Sequence, residues 1–168
     1  LLLYGARLLD DSQTLTGEAR QQARQRLDLL TPEIKSWPSE FCLKANELAV
    51  QTLGGYGFTR DHPVEQHYRD NRVNAIHEGT NGIQSLDLLG RKIGQHGGDS
   101  FNQLLQLIDD TCSRSEAFAS LQPLRAPLQQ LQQRVQAVSR SLLGDEDSER
   151  ALANSALYLK VFGHAVIG

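Results

Sequence analysis

The sequence has no methionine, a single tryptophan and two cysteines, and aromatic residues make up only 6% of its 168 positions. Cys42 and Cys112 lie far apart in helical patterns, so they form no disulfide framework and are expected as buried thiols of a reducing compartment. No stretch approaches the roughly 20 consecutive apolar residues of a membrane span. Leu1-Leu2-Leu3 has neither a preceding basic region nor a cleavage site, so it does not read as a signal peptide. Positive charge is also in deficit, with 17 Lys and Arg against 20 Asp and Glu and a net charge of -3. Such a balance offers no overall field to attract phosphates and argues against nonspecific nucleic-acid binding. Sustained apolar–polar alternation is missing, and β-branched residues are not clustered, so no sheet is expected. The chain opens inside an apolar run, Leu1 to Leu9, and closes inside another at Val166-Ile167-Gly168. It is read as a piece of a longer protein.

What is present is helical periodicity. Hydrophobic residues make up 39% of the chain, enough for a core. Leu2, Leu3, Ala6 and Leu9 share one stripe of a helix that runs to about Asp10, before a polar loop reaching Gly17. A long helical stretch from about Glu18 to Leu53 follows, apolar in its second half at Phe41, Ala45, Leu48, Ala49 and Leu53. Pro32 and Pro38 predict a kink or break between Thr31 and Ser39, and Trp37 between them reads as a core or interface anchor. Gly54-Gly55 ends the stretch. Asp61 is expected to cap a short helix from Pro63 to about Arg72, with Val64 and Tyr68 inward.

A further helix, Gly82 to Ile93, carries Ile83, Leu86, Leu89 and Ile93 at three- and four-residue spacing. Gly97-Gly98 is a break and a candidate boundary between units 1–97 and 98–168. Beyond it three helices are expected. The first carries Phe101, Leu104, Leu105, Ile108 and Cys112. The second carries Leu128, Leu131, Val135, Val138 and Leu142 and closes at Gly144. The third is capped by Asp147 or Ser148 and carries Leu152, Leu159, Phe162 and Val166. The fold class is all-α: an up-down four-helix-type bundle followed by a second, small helical unit.

Chemistry concentrates in Ile76-His77-Glu78-Gly79-Thr80-Asn81-Gly82-Ile83-Gln84. Glu78 precedes a helix start that Thr80 or Asn81 can cap. There backbone N–H groups lack intrahelical partners and the helix dipole is positive. Such a place suits an acid, an oxyanion or a phosphate. Upstream, the glycine-rich turn Gly54-Gly55-Tyr56-Gly57 lets backbone approach a ligand closely.

Four elements in register, Gln51-Thr52-Leu53-Gly54-Gly55-Tyr56-Gly57, Pro63-Val64-Glu65, Arg69-Asp70 and His77-Glu78-Gly79-Thr80, resemble the C-terminal helical domain of the acyl-CoA dehydrogenases over roughly Leu1 to Ile93. The segment from Ser100 onward resembles a helical domain appended in a longer, bacterial-type branch. The resemblance implies an FAD-dependent α,β-dehydrogenation of acyl-CoA thioesters by a cytoplasmic enzyme, with hydride transfer to the flavin. Glu78 falls on the catalytic base and Gly79 beside the thioester. Flavin contacts fall on Thr80, Asn81 and Gly82, and on Gln51, Thr52, Leu53, Gly54 and Gly55, the latter group serving the FAD of a neighbouring subunit. Many members carry Ser-Gln where this chain has Asn81-Gly82, so a flavin contact at Gly82 is either lost or made by backbone. Implied partners are the acyl-CoA substrate, an electron-transferring flavoprotein or similar acceptor, and further copies of the chain in a homodimer or homotetramer.

The residue types suit that chemistry. Removing a proton α to a thioester takes a base within hydrogen-bond reach in a site kept dry, because a carboxylate in bulk water is too weak a base. The isolated piece is expected to be inactive.

Rival readings are weaker. His62, Glu65, His67, His77 and Glu78 cluster in sequence, yet Glu65-Gln66-His67 lacks the spacing that puts two ligands on one helical face. The cysteines have no His near them in sequence to activate a nucleophile. Arg69, Asp70 and Arg72 read as structural ion pairs, and Arg91-Lys92 as a favourable helix C-terminus. The alternatives to the dehydrogenase are a noncatalytic interaction or DNA-damage-response module on the same architecture, and an acyl-CoA oxidase.

Overall fold

The computed structural model describes residues 1–168 and contains helices and turns with no strand. Eight α-helices follow in order: α1 (Leu2–Thr14), α2 (Gly17–Leu53), α3 (Val64–Asn71), α4 (Asn81–Asp87), α5 (Asp99–Arg114), α6 (Gln122–Leu143), α7 (Ser148–Leu152) and α8 (Ser155–Ile167). The fold is therefore all-α, as its periodicity predicts.

Helix α2 is the axis, and α1, α3, α4, α5 and α8 all pack against it. Of the expected kink or break, the break does not occur: α2 is a single helix with Pro32 and Pro38 inside. Each proline removes one backbone donor. The burial of Leu29, Leu30, Pro32, Glu33, Ser36 and Ser39 holds the segment helical regardless. Gly54, with φ of 58°, ends α2 as expected.

Several stripes sit in a different phase from the one the spacing suggests. In α1 the buried residues are Gly5, Leu8 and Ser12, while Leu2, Leu3 and Leu9 face outward, and the helix runs on through Thr14. Along α4 and the π-helical turn that follows it at Leu88–Lys92 the buried line is Ser85, Leu88, Leu89, Lys92 and Ile93; Leu89 and Ile93 are buried as expected, whereas Ile83 and Leu86 are exposed. Val138 of α6 also faces out. The third late helix is two: Asp147 caps α7, and Ala153-Asn154 separates it from α8. Asp61 makes no cap bond to α3, and Tyr68 is exposed.

At His96, Gly97 and Gly98 three successive left-handed residues turn the chain into α5. The core nevertheless runs across that turn. Leu8, Leu29, Leu30, Leu88, Leu89 and Ile93 form one cluster with Phe101, Leu104, Leu105, Val135, Tyr158 and Phe162.

Candidate functional site

The chain reaches Glu78 through a 3-10 turn at Arg72–Ala75, where the Ile76 and His77 amides donate to the Val73 carbonyl. Glu78 and Gly79 then adopt φ of 52° and 89°. Two consecutive left-handed residues reverse the backbone. Glycine accepts that conformation freely, while a residue with a side chain held there costs roughly 1–3 kcal/mol. Helix α4 starts directly afterwards, and the Ile83 amide donates to Thr80 Oγ1 at 3.3 Å, which makes Thr80 the cap.

Glu78 is exposed, since no residue of the chain covers it. The residue nevertheless borders a cavity of about 290 Å3 together with Ile34, Lys35, Ser39, Cys42 and His77. Two side chains grip the loop. Gln84 Nε2 donates to the Glu78 carbonyl at 3.1 Å, and Lys35 Nζ donates to the Gly79 carbonyl. Burial holds the Lys35 ammonium below the usual lysine range, opposed by attraction to the Glu78 carboxylate.

Gln51, Thr52 and Leu53 form the exposed last turn of α2, where Thr52 Oγ1 donates to the Leu48 carbonyl at 2.8 Å. Gly54 and Gly55 follow, and a Cβ on either would meet nothing within 4 Å. Gln51 borders a separate cavity of about 420 Å3 with Glu47, Val50, Phe58 and Tyr68. Within this chain Gln51 and Glu78 thus border different spaces.

Asn81 and Gly82 border a third cavity, of about 260 Å3, with Glu33, Trp37, Phe41 and His164. Trp37 stacks on Phe41 with ring centroids 4.1 Å apart and takes the edge of His164 at 4.9 Å. Asn81 Oδ1 accepts from Ser39 Oγ at 3.4 Å.

Other expectations are corrected. Cys42 is exposed, because it lies on the outer face of the second half of α2, and only Cys112 is buried. Lys92 does more than complement a helix end: it is buried and ion-paired with Asp28 of α2. Arg69 forms exposed pairs with Glu65 and Asp70. No group of three or more His, Cys, Asp or Glu side chains is placed to hold a metal ion.

Sequence reasoning missed Lys35 and Glu33. Leu29, Leu30, Glu33 and Ser36 are three and four residues apart, so the pattern already placed Glu33 on the buried line. Nothing local signals that Lys35 meets a carbonyl 44 positions away.

The family model described as acyl-CoA dehydrogenase, C-terminal domain, matches residues 9–93. A second, described as acetyl-CoA dehydrogenase C-terminal like, matches residues 104–168. The chain is 34% identical over 154 residues to the 3-methylmercaptopropionyl-CoA dehydrogenase of Ruegeria pomeroyi, covering 90% of this chain and 26% of that protein. It is 31% identical over 146 residues to the broad-specificity linear acyl-CoA dehydrogenase FadE5 of Mycobacterium tuberculosis, covering 86% and 24%. With the caffeyl-CoA reductase-Etf complex subunit CarC of Acetobacterium woodii it shares 36% identity over 91 residues, 54% of this chain and 21% of that one. The chain thus spans about a quarter of the length of the first two relatives.

Proposed function

The chain belongs to the acyl-CoA dehydrogenase family, and from that premise we propose that it is the C-terminal helical part of an FAD-dependent enzyme introducing an α,β double bond into acyl-CoA thioesters. The observation that carries the proposal is Glu78 on its left-handed turn, bordering a cavity directly ahead of α4. Its carboxylate takes the proton from carbon 2 of the thioester, which requires hydrogen-bond reach. Gly79 lies along the thioester, and the Glu78 N–H polarises the carbonyl where negative charge develops. An oligomer and the rest of the polypeptide would supply the cover that keeps the carboxylate dry.

The residues fit FAD. The backbone at Gly54 and Gly55 is exposed and unobstructed, as a close approach by an extended cofactor requires. Gln51, Thr52, Leu53, Gly54 and Gly55 would hold the cofactor of a neighbouring subunit, and Thr80, Asn81 and Gly82 that of their own. Gln51 borders one cavity and Asn81 and Gly82 another, which supports this division. When bound, FAD supplies the redox chemistry by accepting a hydride from the β-carbon.

Exposed Phe41, Leu48, Leu53 and Phe58 support a homodimer or homotetramer in which apolar side chains of this kind are covered. A relative named as an Etf complex subunit supports an electron-transferring flavoprotein as acceptor. No helix is long and apolar enough to cross a membrane. The two family matches, on either side of residues 94–103, support a division of the sequence into units 1–97 and 98–168 that share one core.

The test is Glu78→Gln in the full-length protein. Flavin is retained, and its bleaching by acyl-CoA slows at least about a hundredfold. Bleaching at the wild-type rate would remove Glu78 as the base.

A further inference from the structure

The Glu78–Gly79 turn leaves two successive carbonyls outside any helical ladder, and both accept from side chains. Gln84, one turn into α4, serves the Glu78 carbonyl at 3.1 Å. Lys35 serves the Gly79 carbonyl from α2, the longest and most surrounded helix of the fold. A Cβ at Gly79 would come within 2.9 Å of Gln84 Nε2, so the grip is close on that side too. Lys35 and Glu78 border the same cavity.

We propose that Lys35 is a positioning residue for this site: it anchors the Glu78–Gly79 loop to α2 through the Gly79 carbonyl and keeps the Glu78 carboxylate at the shared cavity. The inference rests on the reading of Glu78 as the base. An ammonium is a compact charge on a flexible stem. Here its stem is half-buried and its head is tied to one carbonyl, so it fixes the height of the loop above α2. Loss of the tie lets the strained left-handed Glu78 relax, and a displacement of about 1 Å at a reacting group costs up to roughly a hundredfold in rate.

The ionisable groups around Lys35 are Glu78 and His77 from the loop and Cys42 from its own helix. Asn71 and Asn74 add neutral amides on the far wall. Burial lowers the lysine's hold on its proton, so activity declines on the alkaline side as the ammonium is lost.

Three variants of the full-length flavoenzyme test this. In Lys35→Met, substrate-driven flavin bleaching falls about tenfold or more, and KM stays within about threefold. In Lys35→Arg the rate returns, and the alkaline decline moves to higher pH because a guanidinium keeps its charge. Lys35→Gln, which keeps a donor without the charge, falls between the two and stands in if the Met variant does not fold.

A wild-type rate and unchanged pH profile in the Met or Gln variant overturns the proposal. If Glu78→Gln itself bleaches at the wild-type rate, it is the base assignment that has failed. A readout without turnover is hydrogen exchange in the full-length flavoenzyme. Amides of residues 76–84 exchange faster in Lys35→Met and at the native rate in Lys35→Arg, and unchanged exchange in the Met variant overturns the anchoring.

Discussion

Glu33 is 1% exposed, and its Oε2 has no hydrogen-bond partner. Burial, reinforced by Glu40, pushes its pKa up from 4.5 to about 8. Lys160 and His164 of α8 border the same cavity. The folded state therefore holds a proton that the unfolded chain releases near pH 4.5. Stability from this group is full below that pH, declines as pH rises through the window to about 8, and levels off above it. Replacing Glu33 by Gln removes the ionisation and keeps the shape, so the urea midpoint of Glu33→Gln varies less between pH 5 and 8 than that of the wild type. An equal slope in both proteins would assign the pH dependence to other groups. The helical spacing made this residue's burial legible. Its pKa was not legible, because that depends on α8 closing over it from the far end of the chain.

Helix α8 crosses α2 where only a glycine fits. A Cβ on Gly163 would lie 2.1 Å from Glu33 Oε1 and 2.5 Å from Trp37 Cε3. Gly163→Ala overpacks this crossing and is expected to cost about 1–3 kcal/mol in denaturant unfolding. Gly55→Ala, in open space, stays within about 0.5 kcal/mol. Equal effects of the two substitutions would show that the crossing tolerates the methyl group.

Helix ends were the most legible elements. Thr80, Asp147, Gly54 and Gly144 stand where cap chemistry puts them. The continuity of α2 through Pro32 and Pro38 was hidden, since a local rule about missing donors says nothing of the burial of Leu29, Leu30, Pro32, Glu33, Ser36 and Ser39 against the rest of the fold. The phase of α1 and α4 was hidden for a related reason. Each helix has more apolar residues than one face can bury, and its neighbours decide which of them turn inward.

For the molecule as a whole, the shared core decides how it unfolds. Leu88, Leu89 and Ile93 precede the turn at His96–Gly98, and Phe101, Leu104, Leu105 and Phe162, which follow it, belong to the same cluster. Burying each of these side chains contributes about 1.5–3 kcal/mol, so the residues before the turn do not form a stable body without those after it. Unfolding of residues 1–168 followed by far-ultraviolet circular dichroism and by a tertiary probe should give coincident transitions, and a chain ending at residue 97 should give none. Two separated transitions would assign each part its own core. The Glu78 loop was legible as a place for chemistry because a carboxylate, a glycine and a cap stand together in sequence. Its anchoring was not, since Lys35 comes from another helix. The sole indole, Trp37, is wedged between Phe41 on α2 and His164 on α8. Its emission therefore reports on a single address within residues 1–168, and any event that lifts α8 from α2 can be watched in an unlabelled sample of that chain.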